Sequence, residues 1–294
     1  MTTAANDREL AVSVIVPHYR QPDALRLCLE SLERQTMPQD DYEVIVVDNG
    51  SDLDLTDIEN VHPSFRFLTE SEKGAACARN KGMAAACGRA FAFIDADCVA
   101  EPDWLNEGLL ALSSADLVGG EVVVTQAAQQ PTPVEAFERI FAFRQRMYIG
   151  RKRFSVTANL FSTRAAAAAI GPFHNGVSED VDWCRRGLAL GFHLAFNDTS
   201  IISHPARRTW NELTQKWDRT IRERWNGFGG RGIARRLLWA ALAAATALSA
   251  APHLASIVFS DRVRGARAKA AAAGVLARIR LWRAWRMMTL LRSA

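Results

Sequence analysis

The sequence predicts an α/β fold, a mostly parallel sheet flanked by helices, and three observations carry that prediction. Short apolar runs recur at Val12–Pro17, Glu43–Asp48, Phe65–Leu68 and Phe91–Asp95. Segments of helical character separate them, the pattern of a sheet buried on both faces. Three of the runs end on Pro17, Asp48 and Asp95, and in such sheets ligands collect beyond the carboxyl ends of the strands.

Each element has a local reason. After the first strand, Leu25, Leu29 and Leu32 line one face of a helix from Pro22 to Gln35, with Pro22 in its first turn. An alanine-rich helix spans Gly74 to Cys87, between the third and fourth strands. A helix is expected from Pro102 to Ser113, a strand at Leu117–Thr125, and a loop marked by Pro131 and Pro133 before a helix running through Met147. Val156–Ser162 reads as a strand and Ala165–Ile170 as a short helix ended by Gly171-Pro172. Gly191 stops a helix over Asp180–Leu190, and strands at His193–Phe196 and Ile201–His204 complete the globular part.

At 294 residues and 49% hydrophobic, the chain can bury a domain of roughly 200 residues and carry an appendage. The five cysteines, Cys28, Cys77, Cys87, Cys98 and Cys184, show no Cys-x-x-Cys spacing and read as reduced, buried thiols of a cytosolic protein. Asp7, Arg8 and Glu9 near the start argue against a signal peptide.

The net charge of +4 is unevenly placed. No acidic residue follows Asp261, while Arg262, Arg264, Arg267, Lys269, Arg278, Arg280, Arg283, Arg286 and Arg292 are basic. Trp282 and Trp285 lie among them, a mixture suited to an anionic lipid headgroup layer, with RNA as the rival and disfavoured partner. Residues 237–259 carry no charged side chain, the length of a span. Alanine supplies much of that stretch and Pro252-His253 interrupts it, so a helix or hairpin lying against the membrane is expected.

The chemistry concentrates at Phe91-Ala92-Phe93-Ile94-Asp95-Ala96-Asp97, a buried strand ending in an Asp-x-Asp pair. Hard carboxylate oxygens at such a place can hold a divalent cation against nucleotide phosphates. Asp48 ends an earlier strand, and Glu179-Asp180 opens a helix, where the terminal dipole favours an ionised carboxylate.

These pieces resemble the inverting family 2 glycosyltransferases of GT-A fold. The resemblance rests on Ser13-Val14-Ile15-Val16-Pro17, Val46-Val47-Asp48-Asn49-Gly50-Ser51-Asp52, Ala78-Arg79-Asn80-Lys81-Gly82, Ile94-Asp95-Ala96-Asp97, Gly171-Pro172-Phe173 and Ser178-Glu179-Asp180-Val181-Asp182. It covers about the first 205 residues and implies a GT-A, Rossmann-like domain over 1–205. A helical linker with a Gly/Arg-rich loop over 206–232 and an apolar, basic helical tail over 233–294 would follow it.

The resemblance also implies roles. Asp48 takes the nucleoside with Asp52 nearby; Asn49 stands where a second acid is usual; Pro17, Tyr19, Arg79 and Asn80 face the nucleotide. Asp97 ligates Mn²⁺ or Mg²⁺, Asp95 reaches the ribose or the metal, and His204 completes the metal shell. Asp180, with Glu179 beside it, is the general base that activates the acceptor hydroxyl for one inverting displacement. Arg224-Trp225 resembles part of the Gln-x-x-Arg-Trp signature of processive synthases, but Ile221 replaces the Gln, which implies addition of a single sugar.

The expected partners are a nucleotide-sugar donor, a lipid-linked or surface-polysaccharide acceptor and the cytoplasmic membrane face, with no nucleic acid. A non-catalytic membrane-bound partner is the alternative. A sugar-phosphate nucleotidyltransferase is disfavoured, because His18-Tyr19-Arg20-Gln21-Pro22 has no glycine for a phosphate loop.

Overall fold

The computed structural model describes residues 10–127 and 129–291. Asp7, Arg8, Glu9 and Arg292 lie outside the described residues. The chain begins with β1 (Val12–His18), α1 (Pro22–Glu33), β2 (Tyr42–Asp48), α2 (Thr56–Val61), β3 (Arg66–Thr69), α3 (Ala75–Ala85) and β4 (Ala90–Ile94). It continues with β5 (Val99–Ala100), α4 (Trp104–Leu112), β6 (Leu117–Thr125), α5 (Pro133–Phe141), α6 (Gln145–Met147), β7 (Asn159–Thr163), α7 (Arg164–Ile170), α8 (Glu179–Ala189) and β8 (Leu194–Pro205). Four helices end it: α9 (Trp210–Asn226), α10 (Gly232–Leu248), α11 (Ala250–Val258) and α12 (Ala266–Leu290).

The eight strands form one sheet in the order β3-β2-β1-β4-β7-β6-β8-β5. The half made of β3, β2, β1 and β4 is parallel. Beyond β4 the sheet is mixed: β7 runs antiparallel to β4 and also to β6. The parallel expectation therefore describes the half that carries Pro17, Asp48 and Asp95.

The β-branched runs are buried on both sides, as their lack of polar alternation requires. Val12, Val14 and Val16 pack with Leu25 and Leu29 of α1 and Trp104 of α4. Ile15, Ile45 and Phe93 pack with Ala78 of α3, Ala166 of α7 and Trp183 of α8. Gly108 lets α4 lie close, since a Cβ there would sit 2.2 Å from the Phe161 ring.

Several local expectations change. The helix foreseen through Met147 stops at Phe141 and begins already at Pro133; Ala142 is extended and Phe143 left-handed, with φ 46°. The two last strands are one, Leu194–Pro205. Helix α2 and strand β5 are too short to show a period. Cys28, Cys98 and Cys184 are buried, but Cys87, in the turn before β4, is exposed.

The described chain divides into two compact units. One contains residues up to 123 with 143–175 and 179–204; the other contains 124–142, 176–178 and the residues from 205 onward. The second unit thus includes α5, from the middle of the chain, which a division at 205 and 232 does not foresee.

In that second unit Val134, Phe137 and Ile140 of α5 share a core with Leu213, Ile257, Leu276 and Ile279. Capping boxes at Thr132/Glu135 and Thr209/Glu212 start α5 and α9. Buried Glu138 of α5 meets Arg207 and Lys216, each at 3.1 Å. Burial pushes the Glu138 carboxyl up, but the two cations outweigh it and hold it below the ordinary value.

Several tryptophans and arginines of this unit pair with one another. Arg278 stacks on Trp210 at 3.9 Å, Arg283 on Trp217 at 3.5 Å and Arg235 on Trp225 at 3.9 Å. Arg286 pairs with Asp218. Arg278 and Arg283, two of the basic residues of the tail, thus make cation–π contacts within this unit.

Candidate active site

β1 and β2 are in parallel register with His18 opposite Asp48. The His18 ring is buried, and its Nδ1 lies 2.8 Å from Asp48 Oδ1. Its Nε2 accepts the Gln21 backbone N–H at 3.1 Å. Because Nε2 accepts, the proton of the neutral ring sits on Nδ1 and is donated to Asp48. Asp48 also accepts the Ser51 N–H at 3.0 Å and the Ser51 hydroxyl. Three donors therefore fix this carboxylate at the end of β2.

The other residues expected around the nucleotide divide into two groups. The Asn49 amide donates to the carbonyls of Glu70 and Glu72 and accepts the Gly74 N–H, tying the β3–α3 connection to β2. Asn80 pairs both ends of its amide with the Phe173 backbone, at 2.8 and 2.9 Å. Pro17 sits in β1 beside His18. Tyr19 and Asp52 remain exposed, with Arg20 over the Tyr19 ring and 3.4 Å from Asp52.

Arg79 is buried and bridges two carboxylates rather than lying open to solvent. Its guanidinium donates to Asp95 at 2.7 Å and to Glu179 at 2.9 Å. Burial works against its charge, but Asp95 and Glu179 outweigh that effect and raise its pKa. Its Nε is buried without a partner among the described residues. Arg79 thus couples the strand-end pair to the start of α8.

Glu179 and Asp180 open α8. Burial, and next the negative charge of Glu179, push the Asp180 carboxyl from 3.8 up to about 7. Asp182 turns to Arg186 at 2.9 Å and His174 at 3.0 Å. Beneath this helix start Phe173 stacks on Trp183 at 4.8 Å and meets Phe93 edge-on. Trp183 Nε1 holds the Gly171 carbonyl at 2.9 Å. The Gly171-Pro172-Phe173 loop is thereby pinned from both α3 and α8.

Asp97 and His204 come together across the sheet end, with His204 Nε2 3.5 Å from Asp97 Oδ2. The Phe143 ring, turned by the left-handed backbone after α5, lies 4.5 Å from the His204 ring. Asp97, His204 and Cys98 present ligand atoms within 4.8 Å of one another. The donor chemistry fits a divalent ion at Asp97 and His204. Burial, followed by Asp95 and Asp97, raises the Cys98 thiol well above its ordinary value and keeps it protonated. Asp95, two residues before Asp97, accepts from Arg79 at 2.7 Å.

His18, Ser51 and Phe173 stand in the quoted sequence motifs without a role of their own, and Trp183 stands in none. The signal for His18 was its place at the last position of β1, beside the strand that ends in Asp48.

The model of the glycosyl transferase family 2 matches residues 13–169. Glycosyltransferase AglE of Haloferax volcanii is 34% identical over 214 residues, covering 70% of this chain and 70% of that protein. Putative glycosyltransferase EpsH of Bacillus subtilis is 39% identical over 113 residues, covering 37% of this chain and 32% of its own. Among solved structures, mannosyltransferase PcManGT from Pyrobaculum calidifontis, in complex with GDP-Man and Mn²⁺, matches 94% of this chain and 84% of its own. Its TM-score is 0.60 at 18% identity, a likeness of fold. With more than half of its length matched by the family model, and a relative aligned over 70% of it, the chain belongs to glycosyl transferase family 2 and is a glycosyltransferase of GT-A fold.

Proposed function

We propose that this enzyme transfers one sugar, with inversion, from a nucleotide-sugar donor to a lipid-linked or cell-surface glycan acceptor at the cytoplasmic face of the membrane. The observation that carries the reading is Asp180: a carboxyl pushed to about 7 is matched to general-base work near neutral pH. It belongs to the same charge network as Asp95, through Glu179 and Arg79.

In this reading Asp48, oriented by His18 and Ser51, takes the nucleoside, and Asp95 faces the ribose. Asp97 and His204 would hold Mn²⁺ or Mg²⁺, which supplies positive charge against the leaving diphosphate. An imidazole in the donor set favours Mn²⁺, and the fold relative PcManGT carries Mn²⁺ with GDP-Man. Asp180 removes the acceptor hydroxyl's proton as that oxygen attacks the anomeric carbon opposite the diphosphate. Arg79 keeps Glu179, and through it the start of α8, in register with Asp95. Ile221, buried within the helical unit, leaves the processive signature incomplete and agrees with a single addition.

The test is a thermal-shift screen of the whole chain against UDP, dTDP and GDP and their sugar conjugates, with and without Mn²⁺ or Mg²⁺. A ligand that binds only the folded state raises the midpoint. One nucleotide should raise it in a metal-dependent way, and His204→Ala should abolish the metal dependence. A well-folded protein that responds to no pair overturns the donor assignment.

A further inference from the structure

The second unit leaves one long apolar face uncovered. Helices α10 and α11 follow each other over Gly232–Val258, a stretch long and apolar enough by length and composition to cross a membrane. Only one side of them is used inside the protein. Trp239, Ala243, Thr246 and Ile257 are buried, and Trp239 Nε1 donates to the Met287 carbonyl of α12 at 2.9 Å.

On the other side Ile233, Leu237, Ala241, Leu248, Ala255 and Val258 recur at helical intervals and are exposed. The large ones are bare: Ile233 is 77%, Leu237 66%, Leu248 76% and Phe259 81% exposed. Arg231 flanks one end of this stripe, with Arg236, whose guanidinium also donates to the Leu291 carbonyl, and Arg262, Arg264 and Arg267 flank the other, all exposed. Asp261 is the sole acidic residue after Glu223. A stripe of this kind, with cations at both ends and nearly no acids, complements an anionic lipid surface.

We propose that the exposed face of α10–α11 lies in the plane of an anionic bilayer, its apolar residues at the acyl boundary and its flanking arginines on headgroup phosphates, and that the stretch does not cross the membrane. The proposal deepens the membrane part of the proposed function and rests on that part alone.

What decides between lying and crossing is α12, which packs along α10 and α11. It carries Arg267, Lys269, Arg278, Arg280, Arg283 and Arg286 along its length. A crossing α10–α11 would draw these cations into hydrocarbon, where each charge is strongly disfavoured. Arg283 and Arg278 are already fixed on Trp217 and Trp210 and could not extend to the interface without breaking those contacts. With only the bare face in lipid, α12 remains on the side away from it.

The experiment uses the full chain and closed vesicles, without donor or acceptor, so that its failure is distinct from failure of the transferase reading. Flotation with phosphatidylglycerol-containing vesicles should recover the protein, with much less on pure phosphatidylcholine and less again at high salt. The Leu237→Asp/Leu248→Asp variant should lose tenfold or more of the binding, whereas Leu110→Asp, an exposed leucine of the other unit, should lose none. Circular dichroism melts establish that each variant folds. Trypsin added outside the vesicles should reach both the Arg231 and the Arg262–Arg264 flanks. The proposal is overturned by a folded protein that ignores all vesicles, by double-variant binding equal to wild type, or by protection of one flank, which means crossing. A lipid-independent dimer that the double variant dissociates also overturns it, since the stripe would then be an interface between copies.

Discussion

Replacing Asp180 by Asn should separate activity from stability, with opposite signs. The carboxyl is displaced from 3.8 to about 7, first by burial and next by Glu179. As a base it works ionised, so kcat/KM of the wild type should rise with pH and level off above about 7. Between pH 6 and pH 8 the ionised fraction grows about tenfold for such a group. Loss of a general base typically costs about 10²–10⁴-fold, so Asp180→Asn should fall by that factor at pH 8 and lose the acidic limb. Stability moves the other way. A folded-state pKa raised above its unfolded value contributes stability that is present below the unfolded value and lost as pH rises through the folded one. A displacement of roughly three units corresponds to about 4 kcal/mol. Relative to wild type, Asp180→Asn should therefore gain stability between about pH 4 and pH 7 and hold the gain above. The assays are nucleotide release across pH 5.5–8.5 and urea melts at pH 5 and pH 8. Turnover at pH 8 within a few-fold of wild type, or a wild-type profile flat across pH 7, would refute the reasoning.

Three further outcomes follow from the same geometry. His18→Leu removes one of Asp48's three donors and orphans the Gln21 N–H, so donor KM should rise about tenfold with kcat little changed, a loss typical of a charge-assisted hydrogen bond; His18→Asn, which keeps a donor near Nδ1, should restore most of it in a donor titration. Glu179→Gln removes the charge that helps raise Asp180, and the acidic limb of the rate profile should move to lower pH; a limb that stays put or moves up contradicts the coupling. Asn80→Leu deletes two hydrogen bonds to Phe173 and should destabilise the chain by about 1–3 kcal/mol, read as a shifted denaturant midpoint.

The parts of this enzyme that were legible in the sequence are those set by local pattern. The β-branched runs of β1 and β2, the carboxylates Asp48 at the end of β2 and Asp95 just after β4, and the acidic start of α8 all follow from composition and order. The pairings across the sheet are different in kind. Asn49 and Asn80 show no partner when only their neighbours in sequence are visible; in the fold they bond Gly74 and Phe173, 25 and 93 residues away. Arg79 likewise shows its two carboxylates only once α3, β4 and α8 are in place. The break at Phe143 had no glycine or proline to announce it, yet it sets a ring on His204. The arginines of α12 read as a cationic surface until α9 supplies the tryptophans beneath two of them.

The placement of α5 constrains how this enzyme can be inherited or edited. A chain ending near residue 205 would retain α5 but lose Arg207 and Lys216, leaving Glu138 without the cations that keep it ionised. Val134, Phe137 and Ile140 would also lose the α9, α11 and α12 side chains that cover them. The terminal helices are therefore no detachable cassette. A lineage that discards or exchanges them must remodel residues 124–142 in the same step, so that the middle of the gene and its end are bound to change together.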